Sequence, residues 1–83
     1  MYYVYILKCK DKSLYAGSTN NLERRLHQHN HSKNGAHYTK IRRPVKLQYS
    51  EVHKTYASAR KREAEIKRLK REEKEELIRS KTN

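Results

Sequence analysis

The sequence predicts an α+β fold, a three-stranded antiparallel sheet with helices packed on it, and three observations carry that expectation. Patterns along the chain run strand, strand, helix, strand, helix. A short polar turn joins the first two strands into a hairpin. The 83 residues leave no room for a second core, so residues 1–83 read as one domain.

The first strand is Tyr2 to Cys9. Val4 and Ile6 face one way and Tyr3, Tyr5 and Leu7 the other, so both faces are covered, as in a central strand. Lys10 to Ser13 form a polar turn, and Leu14 to Ser18 make the second strand. Asn20 and Glu23 have capping-box spacing ahead of Leu22 and Leu26, which places a helix from about Asn21 to His31. Ser32 to Arg43, with Asn34-Gly35 and no sustained period, reads as a loop ending at Pro44. Val45, Leu47 and Tyr49 alternate with Lys46, Gln48 and Ser50, the pattern of an edge strand begun by proline. Thr55 is the expected N-cap of a helix from Tyr56, with Ala59, Ile66 and Leu69 as its buried stripe. Leu77 and Ile78 fit either a continuation of that helix or a new one.

Composition narrows the partner. Lys and Arg number 21 against 9 Asp and Glu, a net charge of +12, which favours polyanions. Charge alone fits ribosomal proteins, membrane-surface binders and nucleases equally. A spanning helix is excluded, since the longest apolar run, Tyr2 to Leu7, falls far short of the roughly 20 residues required. The N-terminus has no signal-peptide pattern, and a single cysteine, Cys9, suits a reducing cytoplasm. All the aromatic content is tyrosine, seven residues with no Phe or Trp, and each buried hydroxyl needs a partner.

Three features do not fit a purely structural reading. Arg25 and His29 fall within roughly 60° of Leu22 on the packing face of the first helix. Either they snorkel past the core edge or they line a cleft beside the hairpin. Arg24 points away into solvent. Glu63 lies within about 40° of Ala59 on the buried side of its helix. A carboxylate there pairs with a nearby cation or binds a metal such as Mg²⁺, which needs only one or two carboxylates. Finally, a three-residue turn of Lys10, Asp11 and Lys12 would put Tyr15 opposite Leu7, with Tyr5 diagonal to it at about 7 to 8 Å. Two phenols at that spacing can flank one phosphate. His27 and His31 have the i, i+4 spacing of a zinc pair, but they lack accompanying ligands and face water.

These features occur in an order that resembles the GIY-YIG nuclease superfamily. Tyr3-Val4-Tyr5 stands for GIY and Tyr15-Ala16-Gly17 for YIG; Arg25 lies ten residues after the second motif tyrosine and His29 four further on; Glu63 follows in a later helix. Nearly the whole chain looks like the small stand-alone bacterial branch of that superfamily. Departures are Tyr3, Val4 and Ala16 within the motifs, and Ser18 where a lysine often follows.

The resemblance implies a metal-dependent nuclease. Glu63 would hold a single Mg²⁺ or Mn²⁺, Arg25 would grip the phosphate, and Tyr5 or Tyr15 would be the general base, with Arg25 and His29 as cations favouring the phenolate. Lys40, Arg42, Arg43 and Lys67 would contact the phosphates of a nucleic acid, DNA being the first candidate. A cytoplasmic monomer is the expected form. The alternative is a basic module on the same scaffold that binds nucleic acid without cutting it.

Overall fold

The computed structural model describes residues 1–31 and 37–82. Its elements are β1 (Tyr2–Lys8), β2 (Leu14–Thr19), α1 (Leu22–His31), α2 (His37–Lys40), β3 (Lys46–His53), α3 (Tyr56–Arg68) and α4 (Arg71–Thr82). The sheet is antiparallel in the order β2-β1-β3, with β1 central as its two apolar faces require.

Alternation along β1 separates two cores. Val4 and Ile6 join Ala16 and Tyr49 under Ala59 and Ile66 of α3, and Leu77 and Ile78 of α4 pack against the same cluster. Tyr5, Leu7, Cys9 and Val45 form the opposite cluster, covered by Leu22 and Leu26 of α1. Helices therefore lie on both faces of the sheet. Burying Val4, Ile6, Leu7, Val45 and Ile66 contributes roughly 1.5–3 kcal/mol each, which a small domain needs from every large apolar residue.

The hairpin turn sets the register. Cys9 N–H donates to Ser13 O at 2.9 Å, and Lys12 takes φ 71°, so Lys10, Asp11 and Lys12 form the expected three-residue loop. Tyr5 then pairs with Gly17 and Leu7 with Tyr15. The two motif tyrosines share a face as anticipated.

Four readings of the sequence need correction. The helix cap falls on Asn21, whose Oδ1 accepts from Arg24 N–H at 3.0 Å, while Asn20 instead binds the Arg24 guanidinium. The segment read as a loop contains α2, a single helical turn over His37–Lys40; Ser32 to Ala36 lie outside the described residues. In β3 the alternation is interrupted, because Ile6 pairs with Tyr49 while Leu7 pairs with Leu47. Gln48 is thus an extra residue that switches Tyr49 to the α3 face and leaves Val45 on the α1 face. The strand also continues to His53.

The end of the chain is two helices. Thr55 caps α3 by accepting from Ser58 N–H, and Leu69 leaves helical geometry with ψ 148°. Lys70 N–H then donates to Glu73 Oε1 at 2.9 Å, a side-chain cap that starts α4.

Candidate active site

Tyr5, Tyr15, Arg25 and His29 meet on the α1 face of the sheet. The middle of β1 carries Tyr5, and its phenol reaches across to β2. Gly17 is what allows this approach: a Cβ on residue 17 would lie 2.7 Å from Tyr5 Cζ. The Tyr5 hydroxyl sits 2.9 Å from His29 Nε2, and His29 Nδ1 sits 2.7 Å from Thr39 Oγ1. His29 and Thr39 are fully buried, so this chain of three side chains is sealed from water.

Burial and charge tune the group. Burial, then the positive charges of Arg25 and Arg43, push the His29 pKa down to about 4. His29 is therefore a neutral imidazole at physiological pH, which corrects the expectation that it adds positive charge. Burial likewise raises the Tyr5 pKa to about 12; the hydrogen bond and charge of Arg25 oppose this, while Tyr15 and Glu63 add to it. Arg25 is half-buried and donates to Gln28 Oε1 at 3.0 Å.

Tyr15 is the more accessible tyrosine. Its ring lies 5.3 Å from that of His29 and stacks on Tyr38 at 5.7 Å, and its hydroxyl makes no hydrogen bond among the described residues.

Glu63 arrives from the other side. It belongs to α3, which packs on the Val4 face, and Ser18 is paired with Val4 on that face. Ser18 Oγ donates to Glu63 Oε1 at 2.5 Å, and Lys67 Nζ lies 2.8 Å from Oε2. β2 is an edge strand, so the two faces communicate around its outer margin. The Lys67 ammonium that pairs with Glu63 also lies 5.9 Å from the Tyr15 ring centroid, and the Glu63 charge is felt at Tyr5. Four of the five expected side chains thus meet on the α1 face, while Glu63 lies on the α3 face and is linked to them through Lys67, which pairs with Glu63 and approaches the Tyr15 ring. The cation pairing anticipated for Glu63 is present, supplied by Lys67.

The Glu63 carboxyl is ionised. Burial raises its pKa, but hydrogen bonds from Lys67 and Ser18 and the charges of Lys67 and Arg60 outweigh that and hold it below the usual range. Its side chain is 12 % exposed, whereas Lys67 is 51 % exposed. No group of three His, Cys, Asp or Glu converges among the described residues. The donor set suits a hard ion that takes one carboxylate and leaves its other positions to water and phosphate.

The remaining expected contacts are dispersed. Lys40 is exposed on α2. Arg42 is held by Asp11 at 3.0 Å and by Tyr38 O at 3.1 Å, with its guanidinium 3.9 Å above the Tyr38 ring. Arg43 is a structural group, donating to the α1 carbonyls of His29 at 2.5 Å and Gln28 at 3.2 Å. His27 and His31 are exposed with ring centroids 4.9 Å apart, on the wet side of α1. Sequence reasoning missed Ser18, Tyr38 and Thr39 as site residues. For the last two the signal was their place in the stretch that resembles the stand-alone branch, which gave them no role of their own.

Comparison with known proteins identifies the family and the fold. The sequence model of the GIY-YIG catalytic domain matches residues 1–76. A UPF0213 protein of Syntrophus aciditrophicus is 55 % identical over 92 % of this chain and 87 % of its own length. A UPF0213 protein of Staphylococcus saprophyticus is 52 % identical over 93 % of both chains. Among solved structures, the solution NMR structure of a UPF0213 protein from Bacillus halodurans superposes with a TM-score of 0.62 at 41 % identity, covering 98 % of this chain and 86 % of that one. A second NMR structure, from E. faecalis, gives 0.65 at 42 % identity over 95 % and 83 %. No helix among the described residues is long and apolar enough to cross a membrane. On the family match and these relatives together, the chain belongs to the GIY-YIG family.

Proposed function

We propose that the protein is a metal-dependent nuclease that hydrolyses phosphodiester bonds, with DNA as the first substrate to test. The observation that supports this reading is Lys67, whose ammonium is 2.8 Å from Glu63 Oε2 and 5.9 Å from the centroid of the Tyr15 ring, linking the carboxylate to the face that carries Tyr5, Tyr15 and Arg25. Family membership supports the reaction class and a nucleic-acid substrate.

Each residue has a distinct task in this reading. Arg25 grips nonbridging phosphate oxygens with its planar fork and holds the phosphorus in line for attack. Tyr15 is the better placed base, because it is partly exposed, whereas Tyr5 is buried, bonded to His29 and pushed up to about 12. Tyr15 takes the proton of the attacking water as the bond to the 3′ oxygen breaks. Tyr5 remains a neutral hydroxyl whose orientation is fixed by His29 and Thr39. Lys67 supplies beside Tyr15 the positive charge that Ser18 does not provide after the hairpin motif. Glu63, with Ser18 beside it, would hold Mg²⁺ or Mn²⁺, which when bound neutralises charge on the leaving oxygen.

A plasmid-nicking assay with Mg²⁺ or Mn²⁺ tests the assignment. Wild type should nick, and Glu63→Ala and Arg25→Ala should each lose roughly 100-fold or more. Equal nicking by all three would overturn it. One observation favours the non-cutting alternative: both Glu63 oxygens are engaged, by Ser18 and Lys67. Under that alternative none of the three proteins nicks while all bind DNA at low salt.

A further inference from the structure

At the turn end of the sheet, remote from Glu63, Lys8 and Lys46 are directly opposed across β1 and β3. Like charges in facing positions repel and destabilise a ladder unless something neutralises them. Among the described residues, neither they nor Lys10 has a carboxylate within ion-pairing distance, which is equally true of Lys54, Lys61 and Lys70, so what distinguishes the three is their gathering at one groove. All three lysines are exposed and line a groove of about 430 Å³ with Cys9, Pro44 and Gln48. Lys10 also borders a second groove of about 430 Å³ lined by Asp11, Ile41, Arg42 and Arg43, in which Asp11 already pairs with Arg42, and its N–H donates to Arg42 O at 3.0 Å, which fixes the two grooves side by side. From Arg42 a continuous stack, guanidinium on Tyr38 and Tyr38 on Tyr15, leads back to the phenol proposed as base.

From this arrangement we infer that the groove between Lys8, Lys10 and Lys46 is a secondary phosphate-binding track. One nucleic-acid strand leaves the cutting site over Tyr38 and Arg42 and lays its backbone along these lysines. The direction of the strand rests on the nuclease reading; the presence of a polyanion site does not. The expected occupant is a phosphodiester backbone because the patch offers several exposed ammonium groups at the edge of a groove and few base-reading groups.

The test is the salt dependence of binding to a long labelled oligonucleotide, for wild type and two variants of equal net charge. One variant combines Lys8→Gln, Lys10→Gln and Lys46→Gln; the other combines Lys54→Gln, Lys61→Gln and Lys70→Gln, three exposed lysines elsewhere. Each neutralised phosphate contributes about 0.9 to the slope of log affinity against log salt. The groove variant should therefore bind with a slope shallower by about 2 to 3, while the control keeps the wild-type slope. Equal losses in both variants, or no change in the groove variant, overturn the track. If wild type binds with its slope carried by these lysines but never nicks, the track stands and the nuclease reading falls. If wild type nicks but the groove variant keeps its slope, only the track falls.

Discussion

The Tyr5 hydroxyl lies 2.9 Å from one ring nitrogen of His29, and Thr39 Oγ1 lies 2.7 Å from the other. This buried chain ties β1 to α1 and α2, and its imidazole is neutral. The folded-state pKa of about 4 is below the ordinary 6.5, so between those values the unfolded chain binds a proton that the folded chain does not. Stability should be fully present above pH 6.5 and fall as pH drops toward 4, by on the order of 3 kcal/mol from this group. Nitrogen NMR of the imidazole checks the cause directly. It should report a neutral ring at pH 5, and half-protonation near pH 6.5 would contradict it.

The two tyrosines should respond differently to loss of the hydroxyl. Tyr5→Phe leaves buried His29 without its partner and should cost about 1–3 kcal/mol of stability. Tyr15→Phe should leave stability nearly unchanged, within about 0.5 kcal/mol, and abolish turnover. Urea denaturation beside the nicking assay separates them; a large stability loss in Tyr15→Phe would remove the contrast.

Gly17→Ala tests the approach of Tyr5 to β2. The new methyl would overlap the phenol ring, so Tyr5 must move and its bond to His29 must break. A loss of about 1–3 kcal/mol is expected, with the imidazole nitrogen shifts of His29 displaced. A variant with unchanged shifts and stability would show that Gly17 is not required there.

Much of this arrangement was legible in the chain because it follows from short periods. Alternation in β1 assigned Val4 and Ile6 to one face and Tyr5 and Leu7 to the other, and the three-residue turn placed Tyr15 opposite Leu7. Helical spacing put Arg25 and His29 on the packing face of α1 with Leu22 and left open whether they snorkel or line a cleft. What stayed illegible depends on tertiary placement. The bulge at Gln48 has no local signature, so simple alternation does not give the phase of β3. Thr39 acquires its role only when α2 is folded against His29. The neutrality of His29 follows from complete burial, which periodicity does not measure. Nothing in the sequence alone showed that Lys67 reaches around β2 to stand beside Tyr15.

Lys67 can be tested separately from the fold. Its ion pair with Glu63 is half exposed on the lysine side, so Lys67→Gln should change stability by less than about 1 kcal/mol. Turnover should fall by roughly tenfold or more, because the positive charge beside Tyr15 is lost. Lys67→Arg should restore part of it. Full activity in Lys67→Gln would assign the lysine to the ion pair alone.

In the proposed nuclease, Glu63 and the two hairpin phenols serve one site around the outer margin of β2. Paramagnetic broadening by Mn²⁺ in wild type and Glu63→Gln tests it most directly. Resonances of Ser18, Gly17, Tyr15 and Glu63 should broaden first in wild type and stay sharp in the variant. Broadening confined to the acidic run of α4 at Glu72, Glu73, Glu75 and Glu76, or the same pattern in both proteins, would contradict the account.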